Sequence, residues 1–217
     1  MKRRKILLFS ILIFMVVVAA SIDELVLANL PVKGHDPLPN LLVDIDSRLF
    51  IYINQHLTNP SLDLFMAIVT NLGSTSFWLI VAVVIWFLKR RRESSLLLTA
   101  IILGGAFFLS LKILIARPRP HQMISGVRII DPEDGPSFPS GHAKNMFTAS
   151  AVLGNKLGKK LKTVMYIFAA FVSFTRVYVG AHYPTDVVIG MLLGYAIGRA
   201  TISCEGNLMQ IVNKLSG

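Results

Sequence analysis

Long apolar segments separated by short basic clusters are the feature that most restricts the fold of this chain. Basic residues concentrate at positions 2–5, 89–92 and 156–162, between runs rich in Leu, Ile, Val and Phe. Only 16% of the 217 residues are charged and 53% are hydrophobic, whereas soluble domains carry about 25% charged residues. A net charge of +10 also fits nucleic-acid binding. Because the basic clusters lie where cytoplasmic loops of a membrane protein would be, we expect an integral membrane protein and no nucleic-acid partner.

The apolar pattern predicts an all-α fold, an integral membrane bundle of about six transmembrane helices with short interfacial helices, in a single domain over residues 1–217. Residues 2–20 also fit a signal peptide, but the topology favours an uncleaved first helix. Gly104 and Gly105 would let neighbouring helices approach closely. The predicted spans are 6–22, 62–88 with a break at 71–74, 95–111, 140–157, 163–179 and 187–200.

Two segments carry a finer pattern. Before the second span, apolar residues recur at helical spacing, which predicts an amphipathic helix on the membrane surface. These residues are Leu42, Ile45, Leu49, Tyr52 and Ile53. In the sixth span, Gly190, Gly194 and Gly198 recur every four residues. This stripe predicts close packing against a neighbouring helix.

The six-span topology brings the polar residues to one membrane face. With the N-terminus in the cytoplasm, the loop predicted at 112–138 and the connection at 179–186 both lie outside. The protein would then be a multi-pass cell-membrane protein with its polar site on the outer face. The fourth span is poorly hydrophobic, and polar residues in a spanning helix usually mark a functional site.

The residues that meet at this face suit an anion. Cations and a helix N-terminus converge there, and both bind phosphate well. Any one of the cations could instead extend from a helix end to the interface or bind lipid headgroups, and this also applies to Arg117. The candidate phosphate-binding residues are Lys112, Arg119, Ser140, Gly141 and Arg176.

Two histidines extend the chemistry beyond anion binding. A neutral imidazole can attack phosphorus when a carboxylate holds its other ring nitrogen, and His182 with Asp186 four residues later supplies that pair. His142 could protonate the leaving oxygen and then activate water. A His four residues before an Asp is common, so the prediction depends on all the polar groups converging.

These residues resemble the three-part signature of the type 2 phosphatidic acid phosphatase (PAP2) superfamily. The first part is Lys, six residues and Arg-Pro, matched by Lys112 and Arg119-Pro120. The second is Pro-Ser-Gly-His, matched at 139–142. The third is Ser-Arg, five residues, His, three residues and Asp. The chain matches it at 175–186, with Thr175 replacing the usual Ser.

The resemblance, over the signature region 112–186, implies the roles. His182 would be the catalytic nucleophile that forms a phosphohistidine, Asp186 its orienting partner and His142 the general acid. The five phosphate-binding residues would hold the phosphoryl oxygens. The resemblance implies no metal and no cofactor, and the sequence offers no acidic cluster typical of a magnesium site.

The expected function is therefore that of a phosphoric monoester or diphosphate hydrolase in phospholipid metabolism. Undecaprenyl pyrophosphate is the favoured substrate, with phosphatidylglycerophosphate and phosphatidic acid as alternatives. The partners would be the bilayer and a membrane lipid phosphate, with no obligate protein partner. A phosphotransferase, a vanadate-dependent haloperoxidase-like enzyme, a non-catalytic lipid-binding protein and a transporter are the competing hypotheses.

Overall fold

A computed structural model describes residues 25–57 and 59–206, and no strand occurs in that part of the chain. The helices are α1 (Asn40–Ile51), α2 (Pro60–Thr70), α3 (Thr75–Phe87), α4 (Arg91–Ile115), the short α5 (Pro120–Met123), α6 (Gly141–Leu153), α7 (Lys159–Tyr178) and α8 (Pro184–Ser203). The all-helical prediction is confirmed. The predicted first span, residues 6–22, lies outside the described residues.

Three helical segments in the described part are long and apolar enough to cross a membrane: Arg91–Met123, Lys159–Tyr178 and Pro184–Ser203. Helices Pro60–Gly73 and Thr75–Phe87 pass the same test only as a pair, bent by 57° at the break. The predicted break at 71–74 is therefore confirmed. The bend forms because Ser74 caps a new helix, accepting a hydrogen bond from Phe77 N at 3.1 Å.

The predicted end of the third span was wrong, and the predicted fourth span stays untested. The third span continues through Lys112 to Ile115, so the loop predicted to begin at Lys112 begins only after the helix ends. Helix α6 has 13 residues, about 20 Å of helix, which is shorter than a hydrocarbon core of about 30 Å. A bilayer-spanning role for residues 140–157, and with it the count of six spans, stays a prediction.

Helix α1 carries the predicted amphipathic pattern. Four of the five apolar side chains, Leu42, Ile45, Leu49 and Tyr52, are exposed on one side, where a bilayer interface would cover them. Ile53 instead packs against the core, beside the buried Phe50. An apolar exposed side and a buried inner side are typical of a helix lying along a membrane surface.

Helices α6 and α8 pack together at the centre of the fold. A Cβ on Gly190 would lie 2.5 Å from Ser140 O, and a Cβ on Gly198 would lie 2.5 Å from the Ala151 Cβ. The stripe of small residues therefore brings the two backbones into direct contact, as predicted. Gly104 also meets a neighbour, Ile197, whereas no atom of the described residues would lie within 4 Å of a Cβ on Gly105, so close packing at Gly105 stays a prediction.

Gly194→Ala is expected to lower the free energy of unfolding by about 1–3 kcal/mol, the usual cost of overpacking. The added Cβ would lie 2.2 Å from Lys144 O, so the two helices would have to separate. Gly105→Ala is the matched control and should be neutral or stabilising by up to about 1 kcal/mol, because alanine favours a helix. Thermal unfolding in detergent measures both, and equal shifts for the two variants would contradict the packing argument.

Candidate active site

A cavity of about 880 Å³ collects most of the predicted site residues. It lies between α3, α4 and the N-terminus of α6. Its polar end is lined by Lys112, Arg119, Gly141, His142 and His182. Its apolar wall is formed by Leu79, Ile101, Ile102, Phe108 and Leu109. A cavity that is cationic at one end and apolar along its wall suits an amphiphile with an anionic headgroup.

The end of α4 supplies the first cations. Ala116 adopts a left-handed conformation with φ 51° and turns the chain sharply after the helix. Lys112 donates a hydrogen bond to Pro136 O and lies 5.2 Å from the centre of the Phe108 ring. Arg119 donates to Gly135 O at 3.0 Å and to Ala181 O at 2.9 Å. Both cations are buried and are held by backbone carbonyl oxygens.

The N-terminus of α6 presents His142 to the cavity. Ser140 caps the helix, with its Oγ 3.5 Å from Ala143 N, and its own N–H donates to Asp186 O at 3.0 Å. Since these two Ser140 groups are engaged within the protein, only its hydroxyl hydrogen remains to donate to a phosphoryl oxygen. Asn145 Nδ2 donates to Gly73 O at 3.1 Å and fixes the helix against the break between α2 and α3.

His182 and Asp186 lie at the start of α8. His182 Nδ1 is 3.6 Å from Asp186 Oδ2 and 3.5 Å from Ser137 Oγ, and Ser137 also donates a hydrogen bond to Asp186 Oδ2. Asp186 Oδ2 accepts a further hydrogen bond from Tyr183 N at 3.0 Å. With a carboxylate beside Nδ1, the Nδ1–H tautomer is favoured and the lone pair is on Nε2, which faces the cavity side. His182 is only 1% exposed, so it does not face water directly.

Glu133 occupies the centre of the predicted site. Its Oε1 is 2.5 Å from Arg176 Nη2 and 3.6 Å from His142 Nδ1. Its Oε2 is 2.9 Å from Arg119 Nη1 and 3.3 Å from His182 Nε2. One carboxylate therefore contacts both histidines and two of the predicted phosphate-binding cations.

Charge determines the protonation of Glu133. Burial works to raise the pKa of its carboxyl group, but the nearby charges of Arg176 and Arg119 outweigh burial and hold the pKa well below the ordinary value. Glu133 is thus an anion at neutral pH. The pocket formed by the two arginines and two histidines binds a negative group.

Arg176 holds the acidic loop from the other side. Its Nη1 donates to Asp131 Oδ2 and to Thr70 Oγ1, both at 2.6 Å. Within the described part of the chain, its buried Nε has no hydrogen-bond partner. Thr175, at the position where the signature usually has Ser, turns its hydroxyl to Val172 O at 2.6 Å and so bonds within its own helix.

Arg117 forms a buried network behind the site. It donates to Asp186 Oδ1 at 2.6 Å, to Asp46 Oδ2 at 2.9 Å and to Asp36 Oδ2 at 2.9 Å. Its guanidinium carbon lies 3.9 Å from the centre of the Tyr183 ring. Arg117 is therefore the cation that faces Asp186 on the side away from His182.

A family profile described as the PAP2 superfamily matches residues 93–210, more than half of the chain. The chain belongs to the PAP2 superfamily. Its fold is similar to that of Aquifex aeolicus LpxE, with a TM-score of 0.69, 28% identity, and coverage of 77% of this chain and 98% of that one. It is also similar to a transmembrane PAP2-type phosphatidylglycerolphosphate phosphatase from Bacillus subtilis, with a TM-score of 0.68, 26% identity, and coverage of 88% and 96%.

In sequence, this PAP2-superfamily chain is 35% identical over 95 residues to an undecaprenyl-diphosphatase from Sulfolobus acidocaldarius. That alignment covers 43% of this chain and 46% of the archaeal one, so the chain spans about half the length of this curated relative. The apolar helices and the membrane-protein neighbours indicate a membrane protein.

The structure of this PAP2 protein adds three polar residues that motif reasoning did not select: Arg117, Glu133 and Ser137. The sequence predicts Arg117 only as a headgroup ligand, and Glu133 only as part of the loop at 112–138. The repeated Arg-Pro at 117–120 was the available signal for Arg117. No local pattern marks Glu133 or Ser137, because their partners come from other helices.

Proposed function

We propose that this protein is a metal-independent lipid phosphatase that hydrolyses a phosphate or pyrophosphate monoester through a phosphohistidine intermediate. The reaction would take place at the non-cytoplasmic face of the cell membrane. One observation carries the proposal. His142 and His182 contact different oxygens of the same carboxylate, that of Glu133, which also pairs with Arg119 and Arg176. A phosphoryl group in that position would have a nucleophile, a proton donor and two cations around it.

The first step follows from this arrangement. His182 Nε2 attacks phosphorus, the bond from phosphorus to the leaving oxygen breaks, and protonated His142 gives its proton to that oxygen. Asp186 stabilises the His182 ring as it gains positive charge. In the second step His142 takes a proton from water, the water oxygen attacks phosphorus, and the bond between phosphorus and His182 Nε2 breaks, which releases inorganic phosphate and restores neutral His182.

The cations take the role that a metal ion has in other phosphatases. Arg119 and Arg176 are buried, and a fixed cation stabilises developing charge more strongly in a partly dry site than in water. Lys112 lines the same cavity. The apolar wall between α3 and α4 would hold the proximal part of a prenyl or acyl chain.

Undecaprenyl pyrophosphate, or another polyprenyl pyrophosphate, is the substrate that we propose first. The similarity to an undecaprenyl-diphosphatase supports it. Phosphatidylglycerophosphate is the second candidate, because the Bacillus subtilis phosphatidylglycerolphosphate phosphatase matches 88% of this chain in structure. Phosphatidic acid remains an alternative within the same chemistry. A cytoplasmic N-terminus and an outward-facing site belong to the proposal too.

Phosphate release in EDTA by detergent-purified protein tests the proposed function. The panel contains undecaprenyl pyrophosphate, phosphatidylglycerophosphate, phosphatidic acid and a soluble phosphate ester. We expect turnover of at least one lipid, with undecaprenyl pyrophosphate fastest. Activity that EDTA abolishes would contradict the metal-free mechanism, and binding of vanadate without turnover of any substrate would favour a non-catalytic lipid-binding protein.

A further inference from the structure

The Glu133 carboxylate occupies the place that a phosphoryl group of the substrate would take. Its two carboxylate oxygens take the contacts that two phosphoryl oxygens would take, 2.5 Å from Arg176 and 2.9 Å from Arg119. Its Oε2 atom also lies 3.3 Å from His182 Nε2, the atom proposed as nucleophile. A phosphoryl group and this carboxylate cannot occupy the same place.

We propose that Glu133 is a specificity-determining residue whose carboxylate competes with the headgroup for Arg119 and Arg176, so that monoesters and diphosphates enter the site and phosphodiesters do not. This inference rests on the proposed function, since it concerns the same site. It assigns a task to a residue that lies outside the three signature motifs.

The selection follows from charge. A phosphodiester carries one negative charge and two unshared oxygens, like a carboxylate, so exchanging Glu133 for a phosphodiester gains little electrostatic energy. A phosphate monoester near neutral pH carries close to two charges and three such oxygens, and a diphosphate carries more. Two buried arginines favour the more highly charged group.

The location makes such selection useful. A cationic pocket at a bilayer surface meets phosphodiester headgroups, which are the bulk of many membranes, far more often than it meets a substrate. An arginine pair without a competing carboxylate would bind those headgroups and be inhibited by them. By competing for the two arginines, Glu133 would keep singly charged lipids from binding in the site.

Exchange requires only the Glu133 side chain to move. The loop backbone is anchored, because the carbonyl oxygens of Asp134 and Gly135 accept hydrogen bonds from Arg119 and that of Pro136 accepts one from Lys112. The Glu133 side chain is 26% exposed and can rotate toward solvent. Asp131 would still hold Arg176 from the other side.

Glu133→Gln is the test, because it keeps the shape of the side chain and removes its charge. Dihexanoyl phosphatidylglycerol serves as a soluble phosphodiester inhibitor, and inorganic phosphate as a small anion, both in competition with vanadate binding. We expect the dissociation constants of the phosphodiester and of phosphate both to fall by about tenfold or more in the variant, because both anions lose the same competitor. The KM for a monoester substrate should fall as well.

Asp134→Asn is the matched control, since it removes the same charge from the adjacent, exposed position and should leave phosphodiester binding unchanged. Glu133→Ala serves as the second variant if Glu133→Gln has a lowered melting temperature. Unchanged phosphodiester binding in the Glu133 variants would overturn the proposal, and so would a loss of kcat with unchanged binding, which would place Glu133 in the chemistry.

The binding measurement separates this proposal from the proposed function. If the wild-type protein hydrolyses no lipid, tighter phosphodiester binding by Glu133→Gln still supports competition by the carboxylate. If the lipid assay succeeds but the variant binds phosphodiesters no better than wild type, the function stands and the role of Glu133 is refuted.

Discussion

His182→Ala is expected to reduce phosphate release by about 10⁴-fold or more, to the background of the assay, because a covalent mechanism has no bypass for its nucleophile. His182 is buried at the start of α8, where its ring packs beside Ser137 and Asp186. Phosphate release from the best lipid in the panel, at equal protein concentration, measures the effect. Retained turnover would remove the nucleophile assignment.

His142→Ala provides the internal comparison. A general acid contributes about 10²–10⁴-fold, and it matters most when the leaving group is poor. We therefore expect a large loss with a lipid phosphate and a smaller loss with an activated aryl phosphate. Equal losses with both substrates would argue against proton donation by His142. Melting temperatures close to wild type in both histidine variants are the condition for comparing their rates.

Arg117→Met is expected to lower the free energy of unfolding by about 3–5 kcal/mol, since breaking a buried ion pair leaves uncompensated charge in the interior. Here one buried guanidinium contacts three carboxylates, those of Asp36, Asp46 and Asp186. Methionine fills similar space but offers them no charge. Thermal unfolding in detergent measures the loss.

Arg48→Met is the matched control for this prediction. Arg48 pairs with Asp44 at 3.0 Å, but both side chains are largely exposed, and such pairs contribute about 0–1 kcal/mol. If Arg117→Met and Arg48→Met shift the melting temperature by the same small amount, the Arg117 network contributes little to stability. Turnover should fall with Arg117→Met too, because Asp186 loses the cation on its far side.

Part of the candidate site follows from local spacing along the chain. His182 and Asp186 are four residues apart, and Ser140 directly precedes the helix that carries His142, so these relations are visible along the chain. The predicted topology placed distant motifs on one face, and in the structure Lys112, His142 and His182, one from each motif, line one cavity. The break between α2 and α3 and the glycine stripe of α8 were also predictable, because capping residues and small-residue periodicity act locally.

The remainder of the site depends on contacts between distant segments. Arg117 contacts Asp36 and Asp46 at sequence separations of 81 and 71 residues, and although the signature spacing selects Arg119, it does not indicate these partners of Arg117. Likewise, the turn-rich composition around Glu133 predicts a loop but not where its carboxylate lies. The sequence did not show that Arg117 joins a buried network or that Glu133 contacts both histidines, because these contacts depend on packing between distant segments.

The backbone contact between α6 and α8 has a consequence for how the protein tolerates its surroundings. The N–H of Ser140 is bonded to the carbonyl oxygen of Asp186, and glycines leave no space between the two helices. When a bilayer thickens or thins, embedded helices tilt to match it. The two histidines would tilt together as one unit, while the bend between α2 and α3 absorbs the change. We therefore expect the distance between His142 and His182 to depend little on lipid composition.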